Sequence, residues 1–236
     1  MTGTELKALL ADMTLKEKIG QLTQLDASCF NDEGPVTGAE TELGIEAEDF
    51  PYAGSILGVI GAEQVEKLQK MCMEKQPHHI PVLFMADIIN GYRTIFPIPL
   101  ALGCSFDEEA AKKVGDVMAK ESAASGLHVT FAPMVDLVRD ARWGRVMEST
   151  GEDPYLNAQM AAAMVKGIQG DLADYEDHLG ACTKHFAAYG APTAGREYNT
   201  VELSERTLRD DYLPSYQAAI DAGSAMVMTS FNTLDR

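Results

Sequence analysis

Five short apolar runs, separated by longer segments of helical character, constrain the fold of this chain more than any other feature. They are GSILGVI (54–60), IPVLFMAD (80–87), HVTFAPMVDL (128–137), GACTKHFAA (180–188) and SAMVMTSFN (224–232). Strands that are almost continuously apolar are buried on both faces, which is typical of a parallel sheet covered by helices. The sequence therefore predicts an α/β fold, either an open doubly wound sheet or a (β/α)8 TIM barrel.

The segments between these runs carry helix signals. Thr14 to Glu17 (TLKE) and Ser105 to Glu108 (SFDE) have the capping-box pattern at a helix start, and Gly126 is expected to stop the second of these helices. Further helices are predicted over 62–75, from about 157 to 170, and from a cap at Ser204 to about 222. Residues 26–53 are acidic and rich in Gly and Pro without a clear period, so we expect a loop there.

Polar residues follow the apolar part of several predicted strands, and this favours the barrel. Asp87, the loop 136–153, the pair Lys184 and His185, and Ser230 with Asn232 all lie at such positions. Barrel enzymes build their sites at the C-terminal ends of successive strands. Gly61 stands alone after the first run, so a glycine-rich phosphate-binding turn is not indicated.

The number of strands is smaller than a barrel requires. A complete barrel has eight strands in about 250 residues, whereas five are predicted in the 236 residues of this chain. Either the sheet is complete with five strands or the chain stops partway through a barrel. Because the chain ends just after a predicted strand, we expect a barrel truncated after about five strands.

The charge balance limits the possible partners. The chain has 19 basic and 36 acidic residues, which gives a formal net charge of −17. This charge repels phosphate backbones and anionic lipid, so we expect neither a nucleic-acid nor a membrane partner. The first residues lack the pattern of a secretory signal, and the four cysteines lack metal-ligand spacing. A cytoplasmic protein without a metal site is predicted, and a periplasmic or secreted one is the alternative.

Two clusters could carry chemistry. Residues 139–156 (RDARWGRVMESTGEDPYL) place three arginines among carboxylates beside the single tryptophan, Trp143. Arginine presents a planar fork of donors that can grip paired hydroxyls or carboxylates. Lys184 and His185 could both donate to one ligand, or Lys184 could form a Schiff base. A structural interpretation, in which these loops and the lysine only form salt bridges, remains open.

The motifs resemble those of glycoside hydrolase family 3. They are DIINGYRTIFPIPLAL, FAPMVDLVRDARWGRVMESTGEDPYL, KHFAAYG, NTVELSERTLRDDYLPSYQAAI and VMTSFN, in that order along the chain. The family contains retaining β-glucosidases and related exo-glycosidases, and the resemblance extends over essentially the whole chain.

The resemblance implies a barrel domain whose strand ends bind the terminal sugar of the substrate. By motif match, Asp87, Arg145, Lys184 and His185 would hydrogen-bond the hydroxyls of that sugar, and Met228 would line the same pocket. Non-proline cis peptides are expected around the Lys-His-Phe stretch. The whole enzyme would hydrolyse terminal non-reducing β-D-glucosyl or related residues of a glucoside or oligosaccharide, without a cofactor.

Two departures from the family pattern qualify this expectation. Asn90 stands where many relatives have His, which we expect to alter a loop contact. In the family the nucleophile is an Asp in a Ser-Asp-Trp or Ser-Asp-Tyr motif, and neither motif occurs in these 236 residues. The acid/base Glu usually comes from a further domain.

We therefore expect residues 1–236 to be the N-terminal portion of a family 3 barrel. Such a chain would supply sugar-binding residues but no catalytic residue, and it would be inactive alone. The alternative is a non-catalytic carbohydrate-binding protein. Unpaired edges at the first and last strands would favour self-association.

Overall fold

The computed structural model describes residues 1–30, 44–171 and 176–235. The chain forms two compact units. The first consists of Met1–Ala86 with Ser125–Leu127, and the second of Asp87–Ala124 with His128–Arg236.

The described residues of the first unit form three parallel strands and three α-helices. In chain order these are α1 (Gly3–Asp12), α2 (Leu15–Gln21), β1 (Gln24–Asp26), β2 (Ser55–Leu57), α3 (Ala62–Lys75) and β3 (Leu83–Ala86). β1 pairs with β2, and β2 pairs with β3. The predicted capping box is confirmed at α2, where the Thr14 side chain accepts from the Glu17 N–H and the Glu17 side chain accepts from the Thr14 N–H.

The second unit has the same alternation. It contains α4 (Pro99–Gly103), α5 (Glu108–Ala123), β4 (Val129–Thr130), α6 (Pro154–Gln169), β5 (Gly180–Phe186), α7 (Glu205–Thr207), α8 (Leu213–Asp221) and β6 (Met226–Thr229). A π-helical turn, Leu208–Tyr212, joins α7 to α8. The three strands are parallel, with β5 between β4 and β6. The prediction of parallel strands alternating with helices is confirmed.

Helices α5 and α6 pack against each other at very short range in the second unit. A Cβ atom built on Gly167 would lie 2.1 Å from the carbonyl oxygen of Lys112, and one on Gly115 would lie 3.0 Å from that of Met164. Glycine is therefore required at Gly167, because any side chain there would separate the two backbones. The buried side chains that flank these glycines include Met118, Met160 and Ile168.

The structure corrects three sequence predictions. Five strands were predicted, but the described residues contain six, because β1 at Gln24–Asp26 was missed. That strand is three residues long and buries only Leu25, so it has no apolar run. Asp107 rather than Ser105 caps α5, since its side chain accepts from the Ala110 N–H at 3.0 Å. The predicted loop 26–53 contains two 3-10 helices, Ala27–Phe30 and Phe50–Tyr52, and its residues 31–43 lie outside the described part of the chain.

Candidate functional site

Lys184 is a buried cation near the end of β5, and it is paired with Asp87. The Nζ atom of Lys184 lies 2.6 Å from Oδ1 of Asp87. The lysine side chain is 4% exposed, whereas the aspartate side chain is 53% exposed. An ammonium has three N–H donors, and Asp87 engages one of them. The pair therefore combines a fixed cation with a carboxylate that solvent or a ligand can reach.

His185 follows Lys184 directly and is also buried. Its Nδ1 atom lies 2.7 Å from Oδ2 of Asp136, and its backbone N–H donates to the same oxygen at 3.1 Å. The peptide bonds Lys184–His185 and Phe186–Ala187 are cis, as the resemblance implied. β5 shifts its register against β6 between Lys184 and Phe186. Consecutive residues Lys184 and His185 are thus both enclosed, each with a carboxylate partner.

Arg145 lies in the loop between β4 and α6 and forms a two-bond ion pair with Glu148. Nε and Nη2 of Arg145 donate to the two carboxylate oxygens of Glu148, each at 2.8 Å. This hydrogen bonding raises the pKa of Arg145 above its ordinary value. Burial raises the pKa of Glu148, but the bonds from Arg145 and the charge of Lys184 lower it by more, so its pKa is below the ordinary value.

Tyr189 connects the Arg145 side chain to His185. The guanidinium carbon of Arg145 lies 5.6 Å from the centre of the Tyr189 ring, within the range of a cation–π contact. The His185 ring meets the Tyr189 ring edge to face, with centroids 5.2 Å apart. Burial, together with a hydrogen bond to Glu197, raises the pKa of the Tyr189 hydroxyl, so it stays protonated and donates to that carboxylate.

Trp143 supports Tyr189 rather than extending into solvent. Its ring packs edge to face on Tyr189 with centroids 5.5 Å apart, and its Nε1–H donates to Glu197. The side chain is 2% exposed. The sequence left open whether Trp143 stacks on a ligand or packs the loop, and the structure shows that it packs the loop.

Met228 and Asn90, which the sequence analysis also singled out, lie on different elements of the second unit. Met228 lies on β6, in register with Lys184 on β5, and its side chain is half-buried. The Asn90 side chain donates to the carbonyl oxygen of Phe96 at 3.1 Å, so it holds the turn that follows Asp87.

Continuous contacts therefore join the four residues predicted to bind one ligand. Asp87 bonds to Lys184, and Lys184 is followed in the chain by His185. The His185 ring and the Arg145 guanidinium each contact the Tyr189 ring. Cys182 lies two residues before Lys184, and burial raises the pKa of its thiol to about 11, so it contributes no charge.

Sequence reasoning did not assign roles to several residues that complete this cluster. They are Asp136, Glu148, Tyr189, Glu197 and Tyr216. Asp136 gave one usable signal, because it is a carboxylate inside the apolar run HVTFAPMVDL, and Glu148 gave another through its i+3 spacing from Arg145.

Within residues 1–30, 44–171 and 176–235, no group of three or more His, Cys, Asp or Glu side chains could hold a metal ion. No helix over the same described residues has the length and apolar content needed to cross a membrane.

Residues 14–236 match the family model described as the glycosyl hydrolase family 3 N terminal domain. The chain belongs to glycosyl hydrolase family 3. This confirms the family that the motifs predicted.

Similar proteins include several β-glucosidases. The family 3 chain is 40% identical over 227 residues to the periplasmic beta-glucosidase of Salmonella typhimurium, covering 96% of this chain and 29% of that protein. It is 33% identical over 242 residues to a putative beta-xylosidase of Formosa agariphila, covering 97% of this chain and 32% of that one. The cytoplasmic location predicted from the sequence stays a prediction, since the Salmonella relative is named periplasmic.

A solved structure of β-glucosidase from Listeria innocua in complex with isofagomine matches the family 3 chain with a TM-score of 0.92 at 50% identity. The match covers 100% of this chain and 33% of that one. The same Listeria enzyme has been solved with glucose and, as a mutant, with laminaribiose. The predicted TIM-barrel-like α/β fold class is confirmed by this similarity, and the chain spans about one third of the length of the relatives it matches.

Proposed function

We propose that this family 3 domain binds the terminal non-reducing glucose of a β-linked glucoside through Asp87, Arg145, Lys184 and His185, with Met228 lining the same pocket. The observation that carries the proposal is the buried Lys184 ammonium at 2.6 Å from a half-exposed Asp87 carboxylate, next to a buried His185. The Listeria relative, solved with glucose and with laminaribiose, supports a glucoside as the ligand.

The donors and acceptors of this cluster suit adjacent sugar hydroxyls. Asp87 engages Lys184 through Oδ1, which leaves Oδ2 to accept from a hydroxyl, and Lys184 retains further N–H donors. Arg145 commits Nε and Nη2 to Glu148, so its Nη1 group lies outside that ion pair and is the donor that we assign to the ligand. Hydrogen bonds in which one partner is charged are stronger than neutral ones, which favours a neutral, hydroxyl-rich ligand here.

The chemistry of the whole enzyme would require residues outside the four named above. Retaining hydrolysis uses one carboxylate as nucleophile and one carboxylic acid, with the two groups about 5–5.5 Å apart. We assign neither role within this chain, because the Ser-Asp-Trp and Ser-Asp-Tyr motifs do not occur in it. In this proposal residues 1–236 act as the N-terminal part of the barrel domain of a retaining β-glucosidase, and both carboxyl groups come from regions that the relatives have beyond the matched third.

Glucose titration of the protein, followed by calorimetry or by NMR shift changes, tests the sugar-binding role. Lys184→Met removes the ammonium while leaving Asp87 half in solvent, so the domain should still fold. A hydrogen bond to a charged group contributes about 1.5–3 kcal/mol. The variant should therefore bind glucose about tenfold more weakly or worse.

Lys120→Met is the matched control. Lys120 lies on the exposed face of α5, where it pairs with Asp116 four residues earlier, so its loss should leave glucose affinity unchanged. Equal glucose affinity in Lys184→Met and the unaltered protein would refute the assignment. A xylose titration in parallel would show whether the domain prefers glucose, since a putative beta-xylosidase is also among its relatives.

A further inference from the structure

Asp136 is an enclosed carboxylate in the second unit that the proposed sugar contacts do not use. Its side chain is fully buried, and both of its oxygens have partners. Oδ2 accepts from the His185 backbone N–H at 3.1 Å and lies 2.7 Å from Nδ1 of the same residue. Oδ1 accepts from the Tyr216 hydroxyl at 3.0 Å. Burying a carboxylate is costly because it loses its hydration, so the hydrogen bonds from His185 and Tyr216 are needed to compensate for that loss.

Tyr216 ties this carboxylate to the backbone of the same histidine. Its single hydroxyl proton is shared between the carbonyl oxygen of His185, at 2.7 Å, and Oδ1 of Asp136, at 3.0 Å. The Tyr216 side chain is buried in α8, and burial followed by the Asp136 charge raises its pKa well above the ordinary value. Tyr216 therefore remains a hydroxyl and a donor. Its ring also packs edge to face on Phe186, the residue after His185, with centroids 5.2 Å apart.

These contacts determine which nitrogen of His185 carries a proton. A carboxylate only accepts hydrogen bonds, so the nitrogen that faces Asp136 must be the donor. That nitrogen is Nδ1, which leaves Nε2 as the ring atom available to a ligand. Partners of this kind fix both the tautomer and the ring orientation of a histidine.

We propose that Asp136 and Tyr216 are positioning residues for sugar binding, which hold His185 with Nδ1 protonated and Nε2 directed at the substrate. The effect on binding rests on the proposed function, because the direction of Nε2 affects affinity only if a sugar binds there. The arrangement of the imidazole itself can be measured without a sugar.

NMR of protein labelled with ¹⁵N in the histidine rings tests the arrangement. The chain has five histidines, and His185 is assigned by the signal that disappears in His185→Phe. In the unaltered protein we expect a slowly exchanging proton on Nδ1 of His185. Asp136→Leu, which has a similar shape but no acceptor, should move the proton to Nε2 or make it exchange with water at least tenfold faster. An unprotonated Nδ1 in the unaltered protein, or no change in the variant, overturns the proposal.

Tyr216→Phe gives a second test that does not depend on the folding of Asp136→Leu. It keeps the carboxylate and removes one hydrogen bond, so Nδ1 should remain protonated while its proton exchanges several-fold faster. Tyr212→Phe is the matched control, because it removes another buried tyrosine hydroxyl four residues away in the chain. If the His185 Nδ1 proton exchanges at the unaltered rate in both Tyr216→Phe and Tyr212→Phe, Tyr216 is not a positioning residue.

Glucose affinity, measured on the same samples, separates the two proposals. If the protein binds glucose, Tyr216→Phe should weaken binding several-fold and Tyr212→Phe should not. If the unaltered protein shows the protonated Nδ1 but no glucose binding, the proposed function fails and the positioning of His185 stands. If glucose binds equally well when the His185 proton has moved, the positioning role fails and the proposed function stands.

Discussion

Arg145 shows how one residue can serve both the protein and a ligand. A guanidinium has five N–H donors in a rigid fork, and Glu148 takes the Nε and Nη2 side of that fork at 2.8 Å for each bond. The Tyr189 ring lies against the guanidinium at 5.6 Å. Glu148 therefore holds one edge of the planar guanidinium, and Tyr189 lies against one of its faces. Lysine could not reproduce this geometry, because its ammonium is a single point charge.

The Arg145–Glu148 pair predicts a pH-dependent contribution to stability. Glu148 has a lowered pKa in the folded protein, so its stabilising effect is complete above the ordinary value of 4.5 and is lost as the pH falls through the folded-state value. Glu148→Gln should lower the free energy of unfolding by about 1–2 kcal/mol near neutral pH, a discounted value for a partly exposed pair. Urea unfolding should show that this difference shrinks below pH 4.5.

The control for this prediction lies in the same loop. Glu152 is exposed, so Glu152→Gln should change the free energy of unfolding by less than about 0.5 kcal/mol at any pH. A Glu148→Gln deficit that stays constant or grows in acid would mean that the ionised carboxylate is not what stabilises the folded protein.

Some residues of the site could be predicted from the sequence and others could not. Lys184 and His185 were noticeable because two ionisable residues end an apolar run. Asp136 and Tyr216 were not assigned because their contact joins positions 80 residues apart, and no local pattern records it. The structure also placed Trp143 as packing for Tyr189, a choice that the loop sequence left open.

At the scale of elements, the order of strands and helices followed from local physical chemistry. Long apolar runs and capping signals indicated β2 to β6 and the longer helices between them, but not the five-residue helix α4. Two predictions at this scale were wrong, the N-cap of α5 and the number of strands. Ser105 and Asp107 both qualify as caps, and the backbone places Asp107 at the N-cap of α5. β1 was missed because a three-residue strand with one buried side chain has no recognisable period.

The contact between α5 and α6 predicts an unusual effect of alanine. In an exposed helix interior, alanine is more stable than glycine by about 1 kcal/mol. At Gly167, however, the new Cβ would lie 2.1 Å from the Lys112 carbonyl oxygen, a backbone atom that cannot rotate away. Gly167→Ala should therefore destabilise the protein by about 1–3 kcal/mol, as overpacking does. Thermal or urea unfolding measures the change.

Gly3→Ala is the comparison for this variant. A Cβ at Gly3 has no atom within 4 Å, so its substitution should be neutral or slightly stabilising. If Gly167→Ala were also neutral or stabilising, α5 and α6 would not approach as closely as described.

At the scale of the whole molecule, the fold class and family were predictable because the motifs carry them. The TM-score of 0.92 over the entire chain confirms the fold class. The self-association predicted from strand edges stays a prediction. The identity of the sugar could not be read from the sequence, because a β-glucosidase and a putative β-xylosidase are both among its relatives.

The division of roles proposed for the whole enzyme predicts that these 236 residues do not turn over substrate. Incubation with a chromogenic aryl β-glucoside should release no aryl alcohol above the rate without protein, because the chain lacks the Ser-Asp-aromatic nucleophile motif. Glucose binding by the same sample would serve as the control for folding. Steady release that disappears in Lys184→Met would show that the nucleophile lies within this chain.

A structure of the protein with glucose tests the central claim most directly. The account predicts one glucose in the second unit, with its hydroxyl oxygens within about 3.2 Å of Asp87, Arg145, Lys184 and His185. Glucose bound elsewhere, or bound here without contacts to Lys184 and His185, would contradict it.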